Sequence, residues 1–312
     1  MKRVFRRLVG SFISLFGALT LVFLVLRITP GDPADNILGD EASTAAKEAF
    51  RQSLHLDEPL YTQYGRFWGD VFNGTLGKPF AISDQHQTVS GVIGDVLPAT
   101  IELALASMLI AIMIAIPVGI FAALRQRRLF DHISMVAALI GVAMPVFWLG
   151  PMLLYLFSVQ LPILPDPGAP LDNPLPLLLP ALVLGTALSS KLTRMVRASV
   201  LDVLREEYTL TARAKGLSES RVILRHVLRN ALIPVLTVMG LQLAALLGGA
   251  IVTEKVFARP GIGTLLLDAI VRRDYAIVQG CVLVVTMGYV LVNLTVDLLY
   301  MWVDPRLKRP KT

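Results

Sequence analysis

Two polar side chains stand where apolar residues dominate. Asn293 and Asp297 lie four apart in the last apolar block of the chain, and so on one face of a helix. An ionisable group at membrane depth costs roughly 2.5–3.5 kcal/mol on insertion scales, which makes Asp297 a candidate lining of a translocation path. Its place in the inner part of that block favours a second reading, a polar contact with another helix or with a basic loop. Gly248 and Gly249 also have two open readings, a pore lining and a close helix contact. Gly240 reads as packing.

Other chemistries lack their residues. His55, His86, His132 and His226 are scattered, with no two at metal-ligand spacing. The single cysteine, Cys281, lies in an apolar run, which excludes a disulfide within the chain and a thiolate metal site. A phosphate-binding loop needs glycine-rich backbone followed by Gly-Lys-Ser/Thr. The one Gly-Lys pair, Gly77-Lys78, is followed by Pro79 and has no glycine five positions before it. No catalytic residue, metal or cofactor is therefore expected on this chain.

The elements that must position the polar groups are apolar helices. The 312 residues are 54% hydrophobic and only 17% charged, with a mean hydropathy of +0.65. Soluble domains carry about 45–50% apolar and about 25% charged residues. The excess sits in long blocks, and a membrane span needs roughly 20 such residues. Six blocks qualify or nearly so: Leu8–Ile28, Ile101–Leu124, Ile133–Val159, Leu175–Met195, Ala231–Val252 and Ala276–Val303. The first and third are clear. Leu175–Met195 is weakest, opened by Pro176 and Pro180 and ended by Lys191 and Arg194. The first block is too long for the apolar region of a signal peptide and reads as an uncleaved span.

Six spans place both termini on one side, and basic residues choose the side. Lys2, Arg3, Arg6 and Arg7 open the chain, Arg125, Arg127 and Arg128 follow the second span, and Arg306, Lys308, Arg309 and Lys311 close it. The segment after the fourth span is more basic still. Both ends are expected in the cytoplasm, and topology accounts for the pI near 9.6 without nucleic acid. The expected organisation is a cytoplasmic start and first span at 1–29, an extracytoplasmic segment at 30–98, a five-helix core at 99–303 and a cytoplasmic tail at 304–312. Within 30–98, Tyr61, Tyr64, Phe67, Trp68 and Phe72 share part of one helix face, as in a small folded cap. Residues 160–174 are proline-rich and read as extended. Arg27 is expected near Asp32, and Glu102 at the outer interface. Pro117, Gly119 and Pro145 are candidate kinks.

The cytoplasmic loop 196–230 reads as two short helices around a break. The first covers Leu201–Lys215, with Leu210, Ala214 and Leu217 on one side, and ends at Gly216. Ser218 caps the second, Glu219–Asn230, which alternates Val222, Ile223 and Val227 with Arg221, Arg225 and Arg229. It feeds the fifth span, with Pro234 at the entry. Basic amphipathic helices rest on anionic headgroups or dock a cytoplasmic partner, and physical chemistry alone leaves the two open.

The run from Tyr208 through Thr211, Ala212, Arg213 and Ala214 to Gly216 and Leu217, then Arg225-His226 to Asn230 and Pro234, resembles the cytoplasmic loop of ATP-binding-cassette importer permeases of the peptide/nickel class. Other blocks agree in order: Pro30-Gly31-Asp32-Pro33, Leu97-Pro98-Ala99-Thr100-Ile101-Glu102-Leu103, Met144-Pro145 with Phe147-Trp148, and Ala258-Arg259-Pro260-Gly261-Ile262-Gly263. Arg272-Arg273-Asp274-Tyr275 with Val278-Gln279, Leu291 to Asn293 and on to Asp297, and Asp304-Pro305-Arg306 complete the set. The resemblance spans nearly the whole chain and is nearest to dipeptide-type permeases. The general importer loop motif has Glu-Ala-Ala ahead of the glycine; here those positions hold Leu210, Thr211 and Ala212, and the later Ile and Pro are His226 and Arg229. The glutamate's role is therefore not carried over; the glycine turn is.

The resemblance implies an all-α membrane protein with six transmembrane helices in the type I importer permease arrangement and a small extracytoplasmic segment after the first helix. It implies a multi-pass protein of a bacterial or archaeal cytoplasmic membrane. Such a chain pairs with a second homologous permease, sits on two cytoplasmic ATPase subunits that hold ATP and Mg, and receives its cargo from an extracytoplasmic binding protein. On this reading Tyr208, Thr211, Ala212, Arg213, Ala214, Gly216, Leu217 and Arg221 form the ATPase-coupling loop. Di- or oligopeptides are the expected cargo, with nickel or a metal chelate as the alternative. A proton-coupled transporter would need acid or histidine pairs near the midplane, and Asp297 alone is thin support. A membrane sensor would need a longer inner domain.

Overall fold

The computed structural model describes residues 2–39, 41–80, 88–168 and 173–303, and their side chains apart from those of 2–8, 249, 297 and 300–303. Asp297, Gly249, His86 and the Asp304-Pro305-Arg306 block thus lie outside the residues whose side chains are described. Among the described residues there are helices and no strands. They divide into two compact units, residues 1–100 with 260–290, and 101–259 with 291–312.

In the first unit α1 (Lys2–Ile28) is followed by three short helices, α2 (Pro33–Leu38), α3 (Thr44–Ser53) and α4 (Leu60–Phe72). Their starts are chemically marked. Asp32 accepts the Ala34 amide at 2.9 Å with Pro33 in the first turn, and Ser43 accepts the Ala46 amide at 3.2 Å. Part of the expected aromatic face of α4 does pack. Phe16 stacks on Trp68 at 5.0 Å, Phe23 meets Tyr64 edge-on at 4.9 Å, and Thr20 bonds the Tyr64 hydroxyl at 2.8 Å. Tyr61 and Phe72 remain exposed. The unit is completed by the start of α5 (Val89–Leu124), by α13 (Ile262–Arg272) and by the start of α14 (Tyr275–Val303); Val89, Ile93, Ile262, Ala269, Ile277, Val278 and Cys281 form its core. The helix that carries the second apolar block therefore begins at Val89 and runs unbroken through Pro98 and Pro117.

In the second unit α5 continues, followed by α6 (Leu129–Ala143), α7 (Val146–Leu154) with a π-helical turn Tyr155–Gln160, and α8 (Leu175–Leu204). The loop helices α9 (Glu207–Ala214) and α10 (Glu219–Arg221) come next, with a π-helical turn Val222–Val227 leading into α11 (Leu228–Gly249); α12 (Ile251–Val256) and the end of α14 close the unit. The third apolar block is not one straight span. Its two halves meet at 97°, because a proline at 145 holds Met144 in extended backbone, φ −73° and ψ 120°. Among the described residues five helices are long and apolar enough to cross a membrane, or six if the bent pair is one span.

The weakest-looking block, α8, has the largest share of its apolar window buried, one half. Its small residues explain that. A Cβ on Gly185 would stand 2.7 Å from Ile110, and one on Gly119 2.7 Å from Val196, so α5 and α8 approach closely only with glycine there. Pro176 falls in its first turn, where amides lack partners anyway, whereas Pro180 lies inside the helix. Gly119 is a packing position in an unbroken helix rather than a kink. Gly240 packs too, against Val296.

Candidate functional site

The loop after α8 differs from its expected outline. A break at Arg205–Glu206 separates α8 from α9, so the first loop helix starts at Glu207 rather than Leu201. The second helix does not end at Asn230. It passes through the π-helical turn into α11, and Pro234 lies inside that helix. π-Helical turns recur at functional positions, and nothing in the residue pattern announces this one.

The turn between α9 and α10 is built as expected at Gly216. Its φ is +77°, in the left-handed region, while a Cβ there would meet nothing within 4 Å. Conformation, not crowding, requires glycine. The Gly216 amide donates to the Arg213 carbonyl at 2.9 Å. Ser218 occupies the cap position of α10 without a side-chain capping bond. Instead Glu219 accepts two bonds from Arg213, at 3.1 and 2.6 Å, closing the turn from outside. Tyr208 adds a second tie, its hydroxyl accepting from Asn230 Nδ2 at 2.8 Å.

The inner side of this elbow belongs to the core of the unit. Ala212, Val222 and Val227 are buried with Leu192, Val196, Val200, Ala231 and Val235, and Leu217 packs against them. Thr209 is fully buried and bonds the Val203 carbonyl at 2.9 Å. Of Leu210, Ala214 and Leu217, expected on one side of the helix, Leu210 and Ala214 are exposed and Leu217 is half-buried, and the register turns Thr209 and Ala212 inward. The outer side carries Tyr208, Leu210, Thr211, Ala214, Arg221 and Leu224, with Leu210 and Leu224 at 55% and 68% exposure.

A pair that sequence reasoning missed fixes the helix feeding the elbow. Asp131, buried near the start of α6, accepts from Arg197 of α8 at 2.5 and 2.7 Å and from the Arg127 amide at 2.9 Å. Arg197 reads in the sequence as one more basic loop residue; its bidentate geometry makes it a strut. A second missed pair joins Arg259 to Glu102 at 2.7 Å.

Two of the quoted blocks meet in the first unit. Arg273, at φ 58° after α13, donates to the Pro30 carbonyl at 2.6 Å, and its guanidinium lies where a Cβ on Gly31 would stand. Asp274 accepts the Phe80 and Ile277 amides at 2.6 and 3.1 Å, capping α14. Asp32 pairs with Arg51, whereas Arg27 bonds Gln63 at 2.8 Å, so the expected Arg27–Asp32 proximity is not a contact. Asn293 of α14 and Gly248 of α11 are half-buried and lie on other elements than the elbow. Among the described residues no three of His, Cys, Asp or Glu stand together as metal ligands.

A helical chain with spans and a rigid inner-anchored elbow can be compared with known proteins. The family described as the binding-protein-dependent transport system inner membrane component matches residues 115–309, and its N-terminal companion matches 1–104. The chain belongs to this permease family. The permease is 43% identical over 305 residues to the glutathione transport system permease protein GsiC of Escherichia coli O6:H1, covering 98% of both chains. The same protein of Salmonella paratyphi A is 42% identical over 98% of both. The fold resembles that of the MetNI methionine ABC transporter in inward-facing conformations, with TM-score 0.56 at 17% identity over 68% of the permease and 96% of that chain. The permease is thus an importer subunit of the peptide/nickel class with the type I permease fold.

Proposed function

We propose that this permease forms, with a second homologous permease, the path of an ATP-driven importer of short peptides, glutathione among them. The observation that carries the mechanism is the two-sided elbow. Ala212, Val222 and Val227 lock its inner face into the helix core, while Tyr208, Leu210, Thr211 and Ala214 are exposed on the other. A short rigid element of this kind transmits a push to the spans behind it. Of two ATPase subunits, holding ATP and Mg, one grips it at Tyr208, Thr211, Ala214 and Arg221, with Arg213 and Gly216 setting the turn and Ala212 and Leu217 anchoring it. An extracytoplasmic binding protein delivers cargo.

This reading places both termini and the loop 196–230 in the cytoplasm, 30–98 outside, and 99–303 in and around the membrane. The clustering of basic residues supports that orientation. Asn293, Asp297, Gly248 and Gly249 are proposed as path lining or helix contacts. Peptide cargo rests on the name of the 43% identical relative. Nickel or a metal chelate is the alternative within the class.

The test is uptake. Proteoliposomes holding the complete importer and its binding protein should accumulate labelled glutathione or dialanine only with ATP inside the compartment facing the elbow. Accumulation of nickel instead would replace the peptide reading.

A further inference from the structure

The first unit contains a cavity of about 630 Å³ between α1, α4, the 75–80 segment and the start of α14. Ligand pockets are about 300–1,000 Å³, so the space suits a short peptide. Its wall is chemically uneven. Arg27 lies over the Phe23 ring at 3.5 Å and is 5.8 Å from the Tyr275 ring. It donates Nε to Gln63 Oε1 at 2.8 Å and NH1 to the Phe23 carbonyl at 3.2 Å, which leaves most of the guanidinium's five N–H groups unused. Among the described residues no carboxylate pairs with it. Of the other cations of the unit near it, Arg51 pairs with Asp32 and Arg66 with Glu58 at 2.8 Å, and Lys78 also lines the cavity.

Gln279 lines the same cavity at 6% exposure, and its Nε2 has no hydrogen-bond partner. A buried unpaired amide is costly, and a terminal amide turns easily towards a partner. Asp70 stands on the wall as well. We propose that this cavity binds a short peptide by its free carboxylate, held by Arg27 and Gln279, with Asp70 facing the peptide's ammonium group. A planar guanidinium beside an amide matches a carboxylate better than a lone cation would. The site lies in the first unit and is built from other elements than the elbow. The choice of a peptide over other carboxylates rests on the proposed cargo.

The experiment is calorimetric titration of the full-length permease in phosphatidylcholine nanodiscs with dialanine, dialanine amide, N-acetyl-dialanine and glutathione. Dialanine and glutathione should saturate, and the amide should bind about tenfold more weakly, since hydrogen bonds to a charged group are worth roughly that factor. N-acetylation should also weaken binding. Arg27→Gln and Gln279→Leu should each weaken dialanine binding about tenfold, with Arg27→Lys in between. Equal affinity for acid and amide on the unaltered permease, or no saturable binding, overturns the proposal without relying on any variant. Loss of dialanine binding in phosphatidylglycerol nanodiscs would make this a lipid-phosphate site and overturn it too. Uptake of peptide by the importer without binding here refutes the site alone; binding without uptake refutes the cargo reading alone.

Discussion

Arg213 and Glu219 join across the left-handed turn at Gly216 by two hydrogen bonds of 3.1 and 2.6 Å. The pair sits on the exposed side of the elbow, while Ala212 and Val222 hold its other side in the core. An exposed pair contributes only about 0.2–1 kcal/mol to stability. Its weight lies in fixing the angle between α9 and α10. Glu219→Arg should leave the melting temperature nearly unchanged and lower substrate-stimulated ATP hydrolysis of the intact importer by roughly fivefold, within the range of mutations along a coupling element. The swap Arg213→Glu with Glu219→Arg should restore most of it. Steady-state ATPase assays on both variants decide the matter.

Gly216 separates conformation from space. Its φ of +77° strains any side chain, yet its surroundings are empty. Gly216→Ala should therefore cost about 1–2 kcal/mol locally. Gly216→Asn, which tolerates the left-handed region, should keep more coupling than Gly216→Ala despite its larger side chain. Equal loss in both, measured as transport per ATP hydrolysed, would point to crowding by a partner instead.

The Asp131–Arg197 strut should behave as a buried pair. Arg197→Met leaves a buried carboxylate without its partner and should destabilise the permease by about 3–5 kcal/mol. Asp131→Leu combined with Arg197→Met should recover much of that loss. Thermal unfolding in detergent, followed for the single and double variants, reads the difference.

These pairs show where sequence reading stops. Apolar blocks fixed the spans because lipid demands length and hydrophobicity, which are local. Gly216 was legible because left-handed backbone selects glycine. Partners far apart in the chain, Asp131 with Arg197 or Glu102 with Arg259, leave no local trace. Arg213 and Glu219, six apart around a glycine, were within reach of a turn argument. The third block bends at Pro145, one of the candidate kinks, by an angle that hydropathy does not carry, and α8 reads as the weakest span because its buried small residues carry little hydropathy. The inward register of Thr209 and Ala212 was hidden by the break at Arg205–Glu206, which shifts the face of the following helix.

Acid should loosen the 30–80 segment first. Hydrogen bonds from Arg66, opposed by partial burial, hold the Glu58 carboxyl below the usual range, helped by the charges of Arg66 and His55. At Asp32 burial pushes the other way, but bonds from Arg51 and the Ala34 amide outweigh it and the net shift is downward. A folded-state pKa below the unfolded one stabilises fully above the unfolded value, near 4, and that contribution is lost as pH falls through the folded one. The hydrogen-exchange protection factors of residues 41–80, which exclude the intrinsic pH dependence of exchange, should therefore fall below about pH 4 and stay level from there to neutrality.

The central claim is that a nucleotide-hydrolysing subunit grips the outer face of the elbow. Cys281 is fully buried, so a cysteine placed at Thr211 in the complete importer offers an accessible thiol against a quiet native one. A short thiol-to-amine crosslinker should join Thr211→Cys to the ATPase subunit in high yield, and a cysteine at the buried Ala212 should give little. Finding Thr211→Cys labelled by lipid-phase reagents, with no ATPase adduct in a transport-active assembly, would contradict the account.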